Sequence, residues 1–118
     1  VGLSLYRTLR ICLDDPTIGR FVLRIADAMT LFEASIGTRA RRDLMQGLAT
    51  GLFSFDYLCL VITRLTGGAI AVLTRRLAGD LSRAAETDFV ALTLRTVGVA
   101  DSDSRQVAKQ IELLEEKR

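Results

Sequence analysis

The chain contains no histidine, and this absence excludes many kinds of catalytic and metal site. Histidine is the commonest general base and metal ligand, and without it no Ser-His or Cys-His nucleophile pair can form. A helical-bundle di-metal site built on Glu-x-x-His is excluded for the same reason. The two lysines, Lys109 and Lys117, lie in a polar final segment, where a desolvated nucleophile is not expected. We therefore expect neither an enzyme nor a metal or cofactor site.

Cysteine and proline are scarce, and tryptophan is absent. The two cysteines, Cys12 and Cys59, are far apart and neither belongs to a CxxC pair, so we expect both to be reduced, buried and in a cytoplasmic protein. One proline and nine glycines leave few helix breakers, while 19 leucines and 13 alanines favour helix. This composition predicts an all-α fold.

Neither sign of charge dominates the chain. Sixteen basic and 14 acidic residues leave a net charge of +2, and the two signs are mixed along both halves. No clustered basic patch of the kind that follows a phosphate backbone is present. Apolar residues make up 49% and charged residues 25% of 118 residues, which is typical of one globular domain. We predict a single domain over residues 1–118 that does not itself touch nucleic acid.

Apolar residues recur at spacings of three and four, which divides the sequence into about six helical segments. We predict an antiparallel bundle with helices over residues 3–13, 17–35, 39–50, 57–78, 83–97 and 104–116. Aspartate caps helices and proline suits their first turn, so Asp14, Asp15 and Pro16 should separate the first two. In the last helix the residues expected to face inward are Val107, Ala108, Ile111 and Leu114.

Helix ends are predicted from glycines and helix starts from capping side chains. The glycines expected to end helices are Gly51, Gly79 and Gly98. The expected N-caps are Thr38, Asp56 and Asp103, the last in a capping-box-like arrangement with Gln106.

The segment 57–78 is the most apolar part of the chain, and it carries Arg64 near its middle. Arginine at the centre of a bilayer costs roughly 2.5–3.5 kcal/mol, which argues against a membrane span. The adjacent Gly67 and Gly68 each cost about 1 kcal/mol of helix propensity relative to alanine, and close approach of another helix would compensate for this. We interpret the segment as a helix with two buried faces, one in the domain core and one at a subunit interface. The alternative is that both faces lie in the core.

Two sets of residues are candidates for binding. Aromatic and methionine side chains of the middle helices could surround a ligand pocket, although ordinary core is the alternative. The predicted pocket lining is Phe21, Ile25, Met29, Phe32, Met45, Leu48, Leu52, Phe55 and Tyr57. The predicted dimer interface is Leu60, Thr63, Gly67, Gly68, Ile70, Ala71, Thr74, Ala85, Phe89 and Leu92.

The order and spacing of several motifs carry a family resemblance. They are Leu-Asp-Asp-Pro followed by Arg-Phe over 13–21, Arg-Arg-Asp-Leu running to Gly-Leu-Phe and an aspartate over 41–56, Gly-Gly-Ala over 67–69, and Leu-Thr-Leu-Arg-Thr-Val-Gly over 92–98. Together they resemble the C-terminal effector-binding and dimerisation domain of TetR-family transcriptional regulators.

The resemblance implies a homodimer held by a four-helix bundle, with the segments 57–78 and 83–97 from each subunit. It also implies a pocket for a small apolar or amphiphilic effector and an N-terminal helix-turn-helix domain that is not part of this sequence. In such a regulator, effector binding changes the spacing of two DNA-reading domains and so lowers operator affinity. The competing hypothesis is a stand-alone helical dimer that acts as an adaptor without a DNA function.

Overall fold

The computed structural model describes residues 2–24 and 37–117, and within these ranges all regular structure is helical. The six helices are α1 (Gly2–Asp14), α2 (Pro16–Arg24), α3 (Thr38–Ala49), α4 (Leu58–Leu77), α5 (Ala85–Thr96) and α6 (Asp101–Glu116). The predicted all-α class is confirmed. The second predicted helix, over 17–35, continues beyond Arg24 into residues outside the described ranges.

The predicted ends of the helices agree with the structure. Asp14 is the last residue of α1 and Pro16 is the first of α2. Between them, the Asp15 carboxylate accepts a hydrogen bond from the Thr17 amide at 3.1 Å. The glycines that follow α3, α4 and α5 all have positive φ, a conformation that only glycine adopts without a Cβ penalty, so they allow the chain to leave each helix. These are Gly51 at +77°, Gly79 at +82° and Gly98 at +95°.

The predicted N-caps are wrong. The residues that precede α3, α4 and α6 are Gly37, Tyr57 and Ala100, and none makes a side-chain cap hydrogen bond. Thr38 is already inside α3, Asp56 lies one residue too early, and Asp103 lies within the first turn of α6. Packing sets the direction from which the chain enters each of these helices. Before α4, Tyr57 takes a left-handed conformation with φ 60°.

Helix α4 lies at the centre of the fold and packs against α1, α2, α3 and α5. The face expected to serve the domain core comprises Leu58, Ile62, Leu65, Ala69, Leu73 and Leu77. The four central members are buried, and Leu58 and Leu77 at the two ends are half-buried and pack against the core. One part of the core joins this helix to α1, and a second joins it to α3 and the end of α5. By length and composition alone α4 could cross a membrane, a property that central helices of soluble proteins share.

Burial differs from the prediction at three positions. Cys12 is buried as predicted, but Cys59 is exposed. In α6, Val107 and Leu114 were predicted inside and are 39% and 62% exposed. That helix packs against α1 and α5 on one narrow side, so only a stripe that includes Ala108 reaches the core.

Candidate functional site

The predicted pocket residues that the structure describes are mostly open to solvent. Phe21 is 66% exposed, Leu52 is 67% exposed and Tyr57 is 78% exposed. Met45 and Leu48 are also exposed, whereas Phe55 is half-buried and packs against the core between α3 and α4. Ile25, Met29 and Phe32 lie outside the described residues. The predicted lining therefore stays a prediction.

Two openings flank the start of α3, and Thr38 borders both. The first, about 390 Å³, lies between α3 and α4, and the second, about 620 Å³, lies between α1 and α3. The first is lined by Gly37, Thr38, Arg41, Cys59, Ile62 and Thr63. The second is lined by Ser4, Arg7, Thr8, Ile11, Thr38, Arg39 and Arg42. Both volumes fall in the range of small-molecule sites, roughly 300–1,000 Å³.

The opening between α3 and α4 combines apolar contact with hydrogen-bonding groups. Buried Ile62 and the Cys59 side chain supply apolar surface, while Arg41 and Thr38 supply hydrogen-bond donors. The Thr63 hydroxyl donates to the Cys59 carbonyl oxygen at 2.8 Å, which leaves its oxygen able to accept a further hydrogen bond. Among the described acidic residues, none forms an ion pair with Arg41. Apolar surface, one cation and two hydroxyl groups thus border the same space.

Sequence reasoning missed this opening, since it searched for aromatic and methionine residues and interpreted Thr38 only as a cap. The signal that could have found it was a threonine three residues before an arginine at the start of a predicted helix, which places both on one face.

The predicted dimer face is largely exposed on α4 and partly exposed on α5. Leu60 is 65% exposed and Leu92 is 50% exposed. Thr63, Ala71 and Thr74 are also exposed, while Ala85 is half-buried. Among residues 2–24 and 37–117, no other side chain or loop atom lies within 4 Å of a Cβ added to Gly67, so this glycine faces open space in the described part of the chain.

Three members of the predicted interface instead make contacts within the chain. A Cβ added to Gly68 would lie 2.9 Å from Phe89 Cζ, so the missing side chain gives room for the aromatic ring of α5. Ile70 is half-buried and packs against the core shared with α1 and α2. The intrachain packing of α5 therefore accounts for Gly68, whereas no contact among the described residues accounts for Gly67.

The sequence of residues 1–110 matches the family described as tetracycline-repressor-like C-terminal domains. The chain belongs to this TetR family. The predicted family and the helical architecture that it implies are confirmed.

Two solved structures of RolR resemble this TetR-like domain in both fold and sequence. The crystal structure of RolR in complex with its ligand resorcinol superposes with a TM-score of 0.79 at 34% sequence identity. That match covers 91% of this chain and 53% of the RolR chain. RolR without ligand gives a TM-score of 0.77 at the same identity, with 55% of its chain covered. The TetR-like domain thus spans about half the length of these regulators, and no curated protein matches it.

A buried carboxylate joins three helices of the TetR-like domain. The Glu86 side chain on α5 is 2% exposed and accepts hydrogen bonds from Arg10 Nη1 on α1 at 3.1 Å and from Arg76 Nε on α4 at 2.5 Å. Arg10 also pairs with Asp14. Burial alone would lower the pKa of Arg10, but the two carboxylates outweigh it and the net shift is upward. Sequence reasoning missed Glu86, although it lies four residues before Val90 on the buried stripe of α5.

Residues 2–24 and 37–117 contain no group of three cysteine, aspartate or glutamate side chains placed to hold a metal ion.

Proposed function

We propose that all 118 residues form the ligand-sensing and homodimerisation domain of a cytoplasmic TetR-like repressor. The observation that carries this proposal is the family match over residues 1–110, together with 34% identity to a regulator crystallised with resorcinol. DNA binding belongs to a helix-turn-helix domain that is not part of this sequence. In this proposal the chain is not an enzyme and has no contact with membranes.

The proposed effector is a small aromatic compound with hydroxyl or carboxylate substituents. The opening beside Thr38 supports this class, because apolar Ile62 and the cationic Arg41 border the same 390 Å³ space. Arg41 is exposed, and its planar guanidinium can pair with a carboxylate or donate hydrogen bonds to hydroxyl oxygens. The predicted pocket lining around Phe21 and Met45 is the competing location for the same effector.

Effector binding acts by selecting one arrangement of the helices. A ligand shifts an equilibrium only by its difference in affinity for the two states. The opening beside Thr38 is bordered by both α3 and α4, so a ligand there has different contacts whenever the two helices move relative to one another. Through the homodimer, that difference would change the spacing of the two DNA-binding domains and lower operator affinity.

The second subunit is proposed to cover the exposed face of α4 and α5. Leu60 and Leu92 lie exposed there, and Gly67 leaves room for a close approach. With two helices from each subunit, the interface would be a four-helix bundle.

Isothermal titration calorimetry with resorcinol and with benzoate tests the effector class. We expect binding of at least one compound, a loss of about tenfold or more in affinity for Arg41→Ala, and a smaller loss for Thr38→Val. Arg20→Ala is the matched control, because Arg20 is exposed on α2, away from the opening. If Phe21→Ala and Met45→Ala weaken binding while Arg41→Ala does not, the effector occupies the predicted lining instead.

The adaptor hypothesis is tested by the coding sequence immediately upstream of the codon for Val1. A helix-turn-helix segment of roughly 50–60 residues there supports the regulator. An open reading frame without such a segment supports a stand-alone helical dimer.

A further inference from the structure

The exposed face of α4 carries positive charge without a partner in its own subunit. This helix contains three arginines and no acidic residue. Arg76 pairs with buried Glu86, but Arg64 and Arg75 are exposed and form no ion pair with a described acidic residue. Arg64 lies on the same face as Leu60, Gly67 and Ala71, as their spacing of three and four shows.

The neighbouring helix α5 carries the opposite charge. Asp88 is exposed and forms no ion pair among the described residues. The other charged groups of α5 are occupied, since Glu86 pairs with Arg76 and Arg95 lies 3.4 Å from Asp101. Asp88 shares the exposed side of α5 with Leu92, four residues later.

Burying the face of α4 under a second subunit requires an anion for Arg64. A charge that is removed from water without a partner is strongly unfavourable. If the two α4 helices packed directly on each other, Arg64 would meet no anion, because α4 contains no acidic residue. Packing α4 against α5 of the second subunit instead brings Asp88 to an arginine.

The positions of Arg64 and Arg75 along α4, compared with that of Asp88 along α5, decide which of the two arginines can pair with Asp88. Helices α4 and α5 are consecutive and run in opposite directions, and Phe89 of α5 lies against Gly68 of α4. With a rise of about 1.5 Å per residue, Arg64 lies roughly 6 Å from this contact toward the start of α4, and Asp88 lies roughly 2 Å from it toward the end of α4. A two-fold axis midway between them falls beside Gly67, where the described part of the chain leaves open space. The same construction for Arg75 places the axis level with Val72, away from Gly67.

We infer that the Arg64 guanidinium pairs with the Asp88 carboxylate of a second copy of this chain, so that two symmetric ion pairs flank the centre of the dimer. This inference rests on the proposed homodimer and gives it a register, with α4 of one subunit lying against α5 of the other. It also gives specificity, because only a partner with an anion at this level can cover Arg64.

Charge reversal in the 118-residue chain tests the pairing by sedimentation equilibrium. Arg64→Asp and Asp88→Arg each create two like-charge contacts in a homodimer, and we expect each to raise the dimer dissociation constant by about tenfold or more. An equimolar mixture of the two variants has opposite charges at both contacts, so we expect it to form heterodimers. The double variant, with both substitutions in one chain, is expected to recover the homodimer.

Two controls separate the pairing from general effects. Glu116→Lys makes the same change of charge as Asp88→Arg at an exposed position of α6 and is expected to leave the dissociation constant unchanged. Circular dichroism of each single variant checks that the helices are retained, because Asp88 also lies in the first turn of α5.

The outcomes for the two proposals differ. A wild-type dimer that is unaffected by both single reversals, or a mixture that does not form heterodimers, overturns the Arg64–Asp88 pairing and leaves the homodimer standing. A wild-type chain that is monomeric at concentrations near 100 μM overturns both.

Discussion

Arg76 on α4 donates its Nε–H to a Glu86 oxygen on α5 at 2.5 Å, and Arg10 on α1 donates to the other oxygen at 3.1 Å. One carboxylate thereby pairs with two cations from helices that are far apart in sequence, and Asp14 supplies a second anion to Arg10. The Glu86 side chain is 2% exposed, while the two arginines keep 19% and 25% of their side-chain surface in water.

Replacing Glu86 by alanine should destabilise the domain strongly. Removing one partner of a buried ion pair costs about 3–5 kcal/mol, and the partial exposure of the two arginines reduces this to about 2–3 kcal/mol. Urea unfolding followed by circular dichroism measures the loss. Glu86→Gln, which keeps the shape and one acceptor but not the charge, should lose less than the alanine variant. Equal losses would show that the negative charge accounts for the whole effect and that the shape and the remaining acceptor contribute nothing.

Replacing Gly47 by alanine should also destabilise the domain, although alanine favours helices. A Cβ at this position would overlap the Phe53 ring, and the Phe53 amide donates to the Gly47 carbonyl oxygen at 3.0 Å, so the ring has little freedom to move away. Overpacking costs about 1–3 kcal/mol, which exceeds the propensity gain of about 1 kcal/mol for most of that range. Chemical denaturation measures the difference. The control is Gln46→Ala, an exposed change on the same helix, and a stabilised Gly47→Ala variant would contradict the packing argument.

The two cysteines should react at very different rates with a thiol reagent. Burial raises the pKa of the Cys12 thiol and removes it from solvent, whereas Cys59 is exposed. At pH 8 we expect one fast-reacting thiol in the native protein and two in denaturant, because the thiolate is the reactive form. Absorbance after addition of a disulfide reagent counts them. A fast thiol that survives in Cys59→Ser would show that Cys12 is accessible.

Alkaline pH should destabilise the domain in part through Tyr6. Burial raises the pKa of this phenol above its usual value of 10.0, and Arg10 only partly opposes the shift. Because the pKa in the folded state is the higher one, the contribution to stability is complete below about pH 10 and declines as the pH rises through the window above it. Tyr6→Phe should therefore flatten the loss of unfolding free energy between pH 9 and 11. Identical pH profiles for the variant and the wild type would contradict this assignment.

The glycine-terminated helix ends were predictable from sequence, as was the start of α2 at Pro16, while the N-caps of α3, α4 and α6 were not. Gly51, Gly79 and Gly98 end helices because positive φ is a property of the glycine itself. A cap hydrogen bond depends on the direction from which the chain arrives, and that direction is set by tertiary packing. Thr38, Asp56 and Asp103 have suitable side chains, yet Gly37, Tyr57 and Ala100 occupy the N-cap positions.

The core face of α4 was predictable because apolar residues recur at spacings of three and four over about five turns of the helix. Ile62 and Leu73, which this pattern places on the core side, are buried. The candidate site was harder to predict from the sequence. The opening beside Thr38 lies between the consecutive helices α3 and α4, and its shape depends on how these two helices pack, which no local pattern reports. The buried Glu86 has the same origin, since its two partners lie 76 and 10 residues away.

The glycine that ends α5 also determines how the α4–α5 hairpin is held. The Ser54 amide donates to the Val97 carbonyl oxygen at 2.8 Å, and a Cβ at Gly98 would lie 2.7 Å from the Ser54 carbonyl oxygen. The hairpin is therefore closed at both ends, by its own turn at one and by this main-chain bond at the other. Because Ser54 in the segment between α3 and α4 is hydrogen-bonded to the end of α5, a displacement of that segment is transmitted to the end of α5 as well as to the start of α4.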